Sequence, residues 1–302
     1  MNIIGKKYWY FLISLIIIIP GIISLFLYGL NLSIEFSGGS NITFSFPKEI
    51  SQSQVSAIKS VFLENKLKIL TLEKNGKYIY VRSQPLSEKQ DSLILDKLKT
   101  DFKDFKQEQY ETVGPVIGSE ITLNALKALI ISSILIVLYI TWSFRKVPKP
   151  TSSFRFGVSA IVALIHDVLV LLGIFSILGH FYGVQIDSLF VTAILTVIGF
   201  SVHDTIVVFD RIRENLKRMG GEDFPKVVND SILQTLDRSL NTSLTVVLVL
   251  VALLLFGGES IKWFVVALLI GIISGTYSSI FNAAPLLVLW HEIAAKKAAK
   301  RA

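Results

Sequence analysis

Two His-Asp pairs, His166-Asp167 and His203-Asp204, stand inside runs of apolar sequence, the second within "IGFSVHDTIVVFDRIREN" at residues 198–215. Ionisable groups at membrane depth are costly and usually face a bundle interior or a wet cavity, where they mark ion and proton pathways. The chemistry these pairs offer is therefore uptake and release of a proton or small cation. Arg238 supplies a candidate counter-charge, because Arg238, Asn241, Thr242 and Thr245 recur at i, i+3, i+4 and i+7, one face of a helix. Two roles fit Asp204. It titrates, with Arg238 stabilising its ionised form, or the two form a fixed ion pair that locks the bundle. Asp167 is expected to cap polar neighbours or pair with His166, and it joins the coupling set as a second carboxylate. His and carboxylate also suit Zn or Fe. Adjacent helix positions diverge by about 100° and do not aim at one ion, so neither a metal nor another cofactor is expected, and no catalytic constellation marks an enzyme.

The elements that must hold these groups are long and apolar. The 302 residues are 52% hydrophobic and 18% charged, with a mean hydropathy of +0.60, which assigns most of the chain to a bilayer. No cysteine is present, which removes thiolate and disulfide chemistry. Six runs reach the roughly 20 residues that a spanning helix needs: 8–30, 121–142, 157–180, 187–208, 242–257 and 263–287. The first is too long for a signal peptide and lacks a small-residue cleavage site, so it reads as a retained span, kinked near Pro20-Gly21. In the last, Gly271, Ser274, Gly275, Ser278 and Asn282 form a stripe of small and polar residues that lets helices approach closely. Ala160 and Ala163 do the same beside Asp167.

Lys and Arg in short loops stay on the cytoplasmic side. Here Lys6 and Lys7, then Arg145, Lys146, Lys149 and Arg155, then Arg211, Arg213, Lys217 and Arg218, then Lys296, Lys297, Lys300 and Arg301 fall on one side, whereas the opposite short loops hold only Lys262. Both termini are therefore expected in the cytoplasm, with residues 291–302 a basic tail. Residues 31–120 lie outside and balance 12 basic against 12 acidic residues, so the net +7 belongs to the membrane part. That charge suits anionic lipid. Nucleic acid explains it poorly, since no basic-aromatic module appears.

The outer segment reads as strand (32–46), helix behind a Ser51 cap, a hairpin through Asn75-Gly76, a second helix and a last strand. This β-α-β-β-α-β order is that of ferredoxin-like domains. Beyond span four, residues about 209–240 are charged, break at Gly220-Gly221 and carry Val228, Ile232 and Leu236 at helical spacing, which predicts an amphipathic helix on the inner membrane face.

"GFSVHDTIVVFDRIREN" resembles the fourth-span signature of the SecF side of the SecD/SecF protein-export family. "LSIEFSGGS", with Glu35, Gly38 and Gly39, is similar to its motif after span one. "VGPVIGSE", "ALIHD", "QTLDRSLNTSLT" and "IGIISGTYSSIF" follow in the same order. The resemblance implies an α-helical polytopic protein, a six-helix half of an RND-like transporter with a ferredoxin-like external domain between helices 1 and 2. It implies SecD as the other half, and a role beside the SecYEG translocon in the bacterial cytoplasmic membrane, with SecA, a YidC-type insertase and unfolded polypeptide as further partners. It also implies that the proton-motive force drives export through Asp204 and Arg238. His203 stands where many relatives carry Asn, which leaves proton against sodium open. An RND-like small-molecule exporter half and a passive scaffold are the alternatives.

Overall fold

The computed structural model describes residues 1–299 apart from 103, 146, 149, 219 and 220; of the charges and breaks above, Lys146, Lys149, Gly220, Lys300 and Arg301 lie outside it. The chain forms two compact units, Leu32–Leu126 and Met1–Asn31 with Lys127–Ala302.

The smaller unit is built on strands β1 (Gly39–Ser45), β2 (Ile69–Asn75), β3 (Tyr78–Ser83) and β4 (Lys106–Val113) in the order β2-β3-β1-β4. All neighbours are antiparallel, the ferredoxin-like arrangement the element order implies. Alternation sends Ile42, Phe44, Ile79 and Val81 to one face, against Ile58 and Phe62 of helix α3 (Gln52–Glu64) and Ile94 and Leu98 of α4 (Glu88–Asp101). Both helices start on capping boxes, Ser51 with Gln54 and Ser87 with Gln90, each satisfying two orphan amide groups. The β2–β3 turn is Gly76-Lys77, with Gly76 at φ +59°. Before β1 comes a single helical turn, α2 (Ile34–Ser37), which carries Glu35 and is capped by Ser33. Gly38 and Gly39 then take φ of +70° and +136°, and a Cβ on Gly39 would sit 2.9 Å from the Ser83 carbonyl oxygen. Backbone that close at those angles admits only glycine.

The larger unit contains α1 (Lys7–Tyr28), most of α5 (Pro115–Ser143), α6 (Ser153–Tyr182), α7 (Ser188–Arg218), α8 (Phe224–Phe256), α9 (Lys262–Ser278) and α10 (Ala284–Ala299). Counting α5 whole and α9 with α10 as one, six helical segments are long and apolar enough to cross a membrane. A π-helical stretch, Ser279–Ala283, joins α9 to α10 without a break. Pro20 lies within an unbroken α1, and beside it a Cβ on Gly21 would lie 2.8 Å from Gly173 Cα, so α1 and α6 meet backbone to backbone.

Residues 209–240 depart from expectation. They do not form a separate surface helix: α7 runs straight on to Arg218, and α8 begins at Phe224 and continues into span five. The apolar face that suggests a surface helix is instead buried in the bundle core, where Val227, Val228 and Ile232 join one cluster with Phe209, Ile212 and Leu216. A polar clamp seals it, Asn215 Nδ2 donating to Ser231 Oγ at 2.9 Å and to Gln234 Oε1 at 3.0 Å.

Candidate functional site

The two buried carboxylates sit on neighbouring helices in different surroundings. Asp167, on α6, is 1% exposed. Its Oδ2 accepts from Ser201 Oγ of α7 at 2.5 Å and from Ser278 Oγ of α9 at 2.7 Å. Its Oδ1 accepts from Ser274 Oγ at 2.9 Å and meets His166 Nδ1 at the same distance. With Nδ1–H donating to Asp167, His166 Nε2 is left as an acceptor for the Ser14 hydroxyl of α1, 3.0 Å away. Ser14 Oγ in turn accepts from Asn282 Nδ2 at 2.8 Å. One carboxylate thus ties α1, α6, α7 and α9 with its π-helical extension together, and each of its oxygens has two partners.

Close helix approach makes this possible. A Cβ on Gly271 would fall 2.2 Å from Val197 Cγ2, and one on Gly275 2.9 Å from Ser201 Cβ, so α9 lies directly on α7 at both glycines. The π-helical residues add Ser279, whose hydroxyl meets Thr205 Oγ1 at 2.8 Å and donates to the Ser201 carbonyl oxygen at 3.2 Å. Gly271, Gly275, Ser278 and Asn282 therefore stand where the sequence stripe expects them. The hydroxyls it leaves unassigned, Ser14 and Ser201, complete the set.

Asp204, on α7, is also buried, yet it keeps a single partner: Ser239 Oγ of α8 donates to Oδ1 at 2.5 Å. Its Oδ2 is buried and has no hydrogen-bond partner among the described residues. The expected ion pair with Arg238 is not made. Arg238 and Ser239 are consecutive on α8 and point about 100° apart, and the helix turns its buried hydroxyl row inward. That row is Ser231, Thr235, Ser239 and Ser243, spaced four apart, with Ser243 Oγ 2.5 Å from Thr276 Oγ1 of α9. Arg238, Asn241, Thr242 and Thr245 form the exposed face, where Thr242 Oγ1 donates to the Arg238 carbonyl oxygen at 2.8 Å. The four-residue hydroxyl spacing is visible in the sequence and marks a helix-packing face. It competes with an equally regular polar face, and the charge on Arg238 favours the wrong one. His203 is exposed. Beneath this contact a cavity of about 370 Å³ opens between α7 and α8, lined by Asp210, Arg211, Glu214, Gln234, Thr235 and Arg238 among others.

Residues 94–293 match the family described as "Protein export membrane protein SecD/SecF, C-terminal", and residues 23–46 match the "SecD/SecF GG Motif". The chain belongs to the SecD/SecF family. Asp167, Asp204 and Arg238 all lie in the first match, and Glu35, Gly38 and Gly39 in the second. A protein translocase subunit SecF of Thermobaculum terrenum is 47% identical over 300 residues, covering 96% of this chain and 94% of its own. One from Anaerolinea thermophila is 44% identical over 295 residues, with 96% and 94% covered. A protein translocase subunit SecDF of Bacillus subtilis is 35% identical over 95% of this chain, which spans 37% of that longer one. Among solved structures, SecDF in a super-membrane-facing form superimposes with a TM-score of 0.71 at 33% identity, covering all of this chain and 40% of that one. A Thermus SecDF, a translocon-associated membrane protein, gives 0.77 at 32% identity, with 96% and 38% covered. This chain therefore spans about two fifths of each SecDF structure.

Proposed function

We propose that this SecF-type translocase subunit forms one half of a SecD-SecF assembly beside SecYEG in the bacterial cytoplasmic membrane, and that Asp204 couples the proton-motive force to polypeptide export. One observation carries the coupling assignment: of the two carboxylates buried in the bundle, Asp167 has two hydrogen-bond partners on each oxygen, while Asp204 Oδ2 has none among the described residues. A filled acceptor set holds helices. An open one can take up a proton or cation, and in low dielectric that single charge change is a large local energy.

Two observations support SecD as the other half. The Bacillus relative carries the matched region as 37% of one SecDF chain. The exposed face of α8 presents Arg238 and Asn241 at or near membrane depth, where a polar group needs polar cover. The lysines and arginines gathered at one end of the helices favour both termini in the cytoplasm, where SecA would meet the assembly. Unfolded polypeptide on the far side is the cargo, and a YidC-type insertase is a further neighbour.

The test is export of a secreted reporter in cells whose only copy carries Asp204→Asn, with the amount of chain and its copurification with SecD checked. Loss of export stimulation is expected, and collapsing the proton gradient in wild-type cells should mimic it. Export at the wild-type level with Asn would return Asp204 to a structural role. Sensitivity to the sodium gradient alone would make sodium the coupling ion.

A further inference from the structure

We propose that a slot between α1, α6 and α10 holds one acyl chain of an anionic phospholipid, drawn from the leaflet at the Lys7 end of the bundle, and that this lipid supports the polar network around Asp167. The inference makes no use of the coupling role of Asp204.

Shape and lining both point to a chain of methylenes. The slot has a volume of about 340 Å³ and extends from Phe11 to Ile18 on α1, from Val162 to Leu169 on α6, and from Asn282 to Leu289 where the π-helical stretch enters α10. At 1.5 Å per residue it runs about 10 Å along α1 and α6, which fits within the half-thickness of a hydrocarbon core, about 15 Å. It is therefore long in the direction in which acyl chains lie. Its polar lining residues, Ser14, His166 and Asn282, are buried and bonded to one another, His166 Nε2 and Asn282 Nδ2 meeting Ser14 Oγ at 3.0 and 2.8 Å. The rest of the lining is apolar, and a cavity of that kind stays dry and takes an apolar occupant. Left empty, its walls would lose those contacts at the level where Ser14 ties α1 to His166.

The surroundings favour a lipid over a protein helix. Leu12, Leu15, Ile16 and Ile19 of α1 and Val162 and Ile165 of α6 are exposed beside the slot, a surface suited to bilayer hydrocarbon. A second apolar cavity, bordered by Leu240, Leu244, Ile273 and Phe281, differs, because its helix α8 also exposes Arg238 and Asn241, which call for polar cover. The headgroup follows from the charges at one end. Lys7, four residues before Phe11, pairs at 2.7 Å with Glu292, three residues beyond Leu289. Aromatic residues that mark a membrane interface gather at the same end: Trp9 and Phe154 are exposed, and Phe154 meets Trp290 edge-on with ring centroids 6.1 Å apart. Lys6, Lys296 and Lys297 are exposed there and pair with no carboxylate among the described residues. Basic side chains beside the membrane surface attract anionic headgroups.

The probe is dioleoyl phosphatidylglycerol, with dioleoyl phosphatidylcholine, which has no net charge, as control. The full-length chain, alone and with SecD, would be delipidated in detergent, given either lipid, and followed by native mass spectrometry and thermal unfolding. Wild type should retain one more phosphatidylglycerol than Ile18→Phe/Leu286→Phe, which puts two rings into the slot, and phosphatidylglycerol should raise its unfolding temperature but not that of the variant. Lys6→Gln/Lys296→Gln, on exposed side chains, should lose the several-fold preference for phosphatidylglycerol over phosphatidylcholine. Equal retention by wild type and the Phe variant would overturn the slot as the site. Retention by the chain alone but not with SecD would give the slot to a partner helix and overturn it equally. Should the Phe variant not fold, the charge variant still decides, because an undiminished preference for phosphatidylglycerol contradicts the proposal.

Discussion

Asp167 and Asp204 lie on neighbouring helices, in the same bundle, and are buried to a similar degree, yet the chain treats them in opposite ways. Asp167 is enclosed by three serine hydroxyls and a histidine drawn from α6, α7 and α9. Asp204 has one serine, and its Oδ2 has no hydrogen-bond partner among the described residues. The difference lies in which residue faces each carboxylate. Glycines at 271 and 275 bring α9 close enough to α7 for serines to reach Asp167, whereas α8 offers Asp204 only one hydroxyl of its buried row. Burial alone therefore does not tell the two carboxylates apart. Their hydrogen-bond partners do.

The contrast collapses altogether if α7 is moved, since α7 supplies Asp204 and also the Ser201 hydroxyl for Asp167. Gly271→Leu puts side-chain atoms into Val197. Overpacking costs about 1–3 kcal/mol where neighbours can shift, and a helix backbone cannot shift easily. Loss of folded protein from membranes is expected, read by trypsin resistance. Next in size, Asp167→Ala leaves three hydroxyls and a histidine without their acceptor. Removing one member of a buried charged network costs about 3–5 kcal/mol, so thermal unfolding in detergent should fall well below the wild type. Ser239→Ala is milder. It removes one neutral-to-carboxylate bond worth about 1.5–3 kcal/mol at most, and its distinguishing readout is a displaced dependence of export on the ion gradient, which an Asp167-side change such as Ser278→Ala should not produce.

The smallest effect comes from a carboxylate outside the membrane. Asp91, in the first turn of α4, is held above the usual Asp range by burial, against the opposing effect of the hydrogen bond from Gln107 at 3.1 Å. Because its folded-state value is raised, ionising it opposes folding. The penalty is absent below the unfolded value of 3.8 and grows as pH climbs through the folded value. Asp91→Asn should raise the Tm of the protein slightly at pH 7, with the gain vanishing below about pH 4. A gain that persists in acid would show that shape, and not charge, is the cause.

Much of the fold is legible in the residues themselves. The length of the apolar runs, the glycine turn signal of the hairpin, which the structure places at Gly76-Lys77 and not at Asn75-Gly76, and the serine caps follow from local chemistry, and the spans and the βαββαβ order come with them. The small-residue stripe on α9 is legible because glycine at membrane depth has few other uses. Two features are not. The charged stretch 209–240 has the periodicity of a surface helix, and only tertiary packing of Val228 and Ile232 onto Phe209 and Ile212 shows that it extends two spanning helices. The partner of Asp204 depends on the rotation of α8, and a helix with polar residues on two faces does not reveal which is inside. Arg238 carries the louder signal, and Ser239 holds the bond.

The decisive measurement takes Asp204→Asn and Asp167→Asn through the same two assays, reporter export per folded molecule and thermal unfolding of the purified SecD-containing complex. Asp204→Asn should abolish stimulated export while unfolding within about 1 kcal/mol of the wild type, the size of one altered hydrogen bond. Asp167→Asn should unfold markedly earlier, while the molecules that remain folded keep exporting. Normal export by Asp204→Asn, or loss of export by Asp167→Asn at full stability, would contradict the assignment of the open carboxylate as the coupling group.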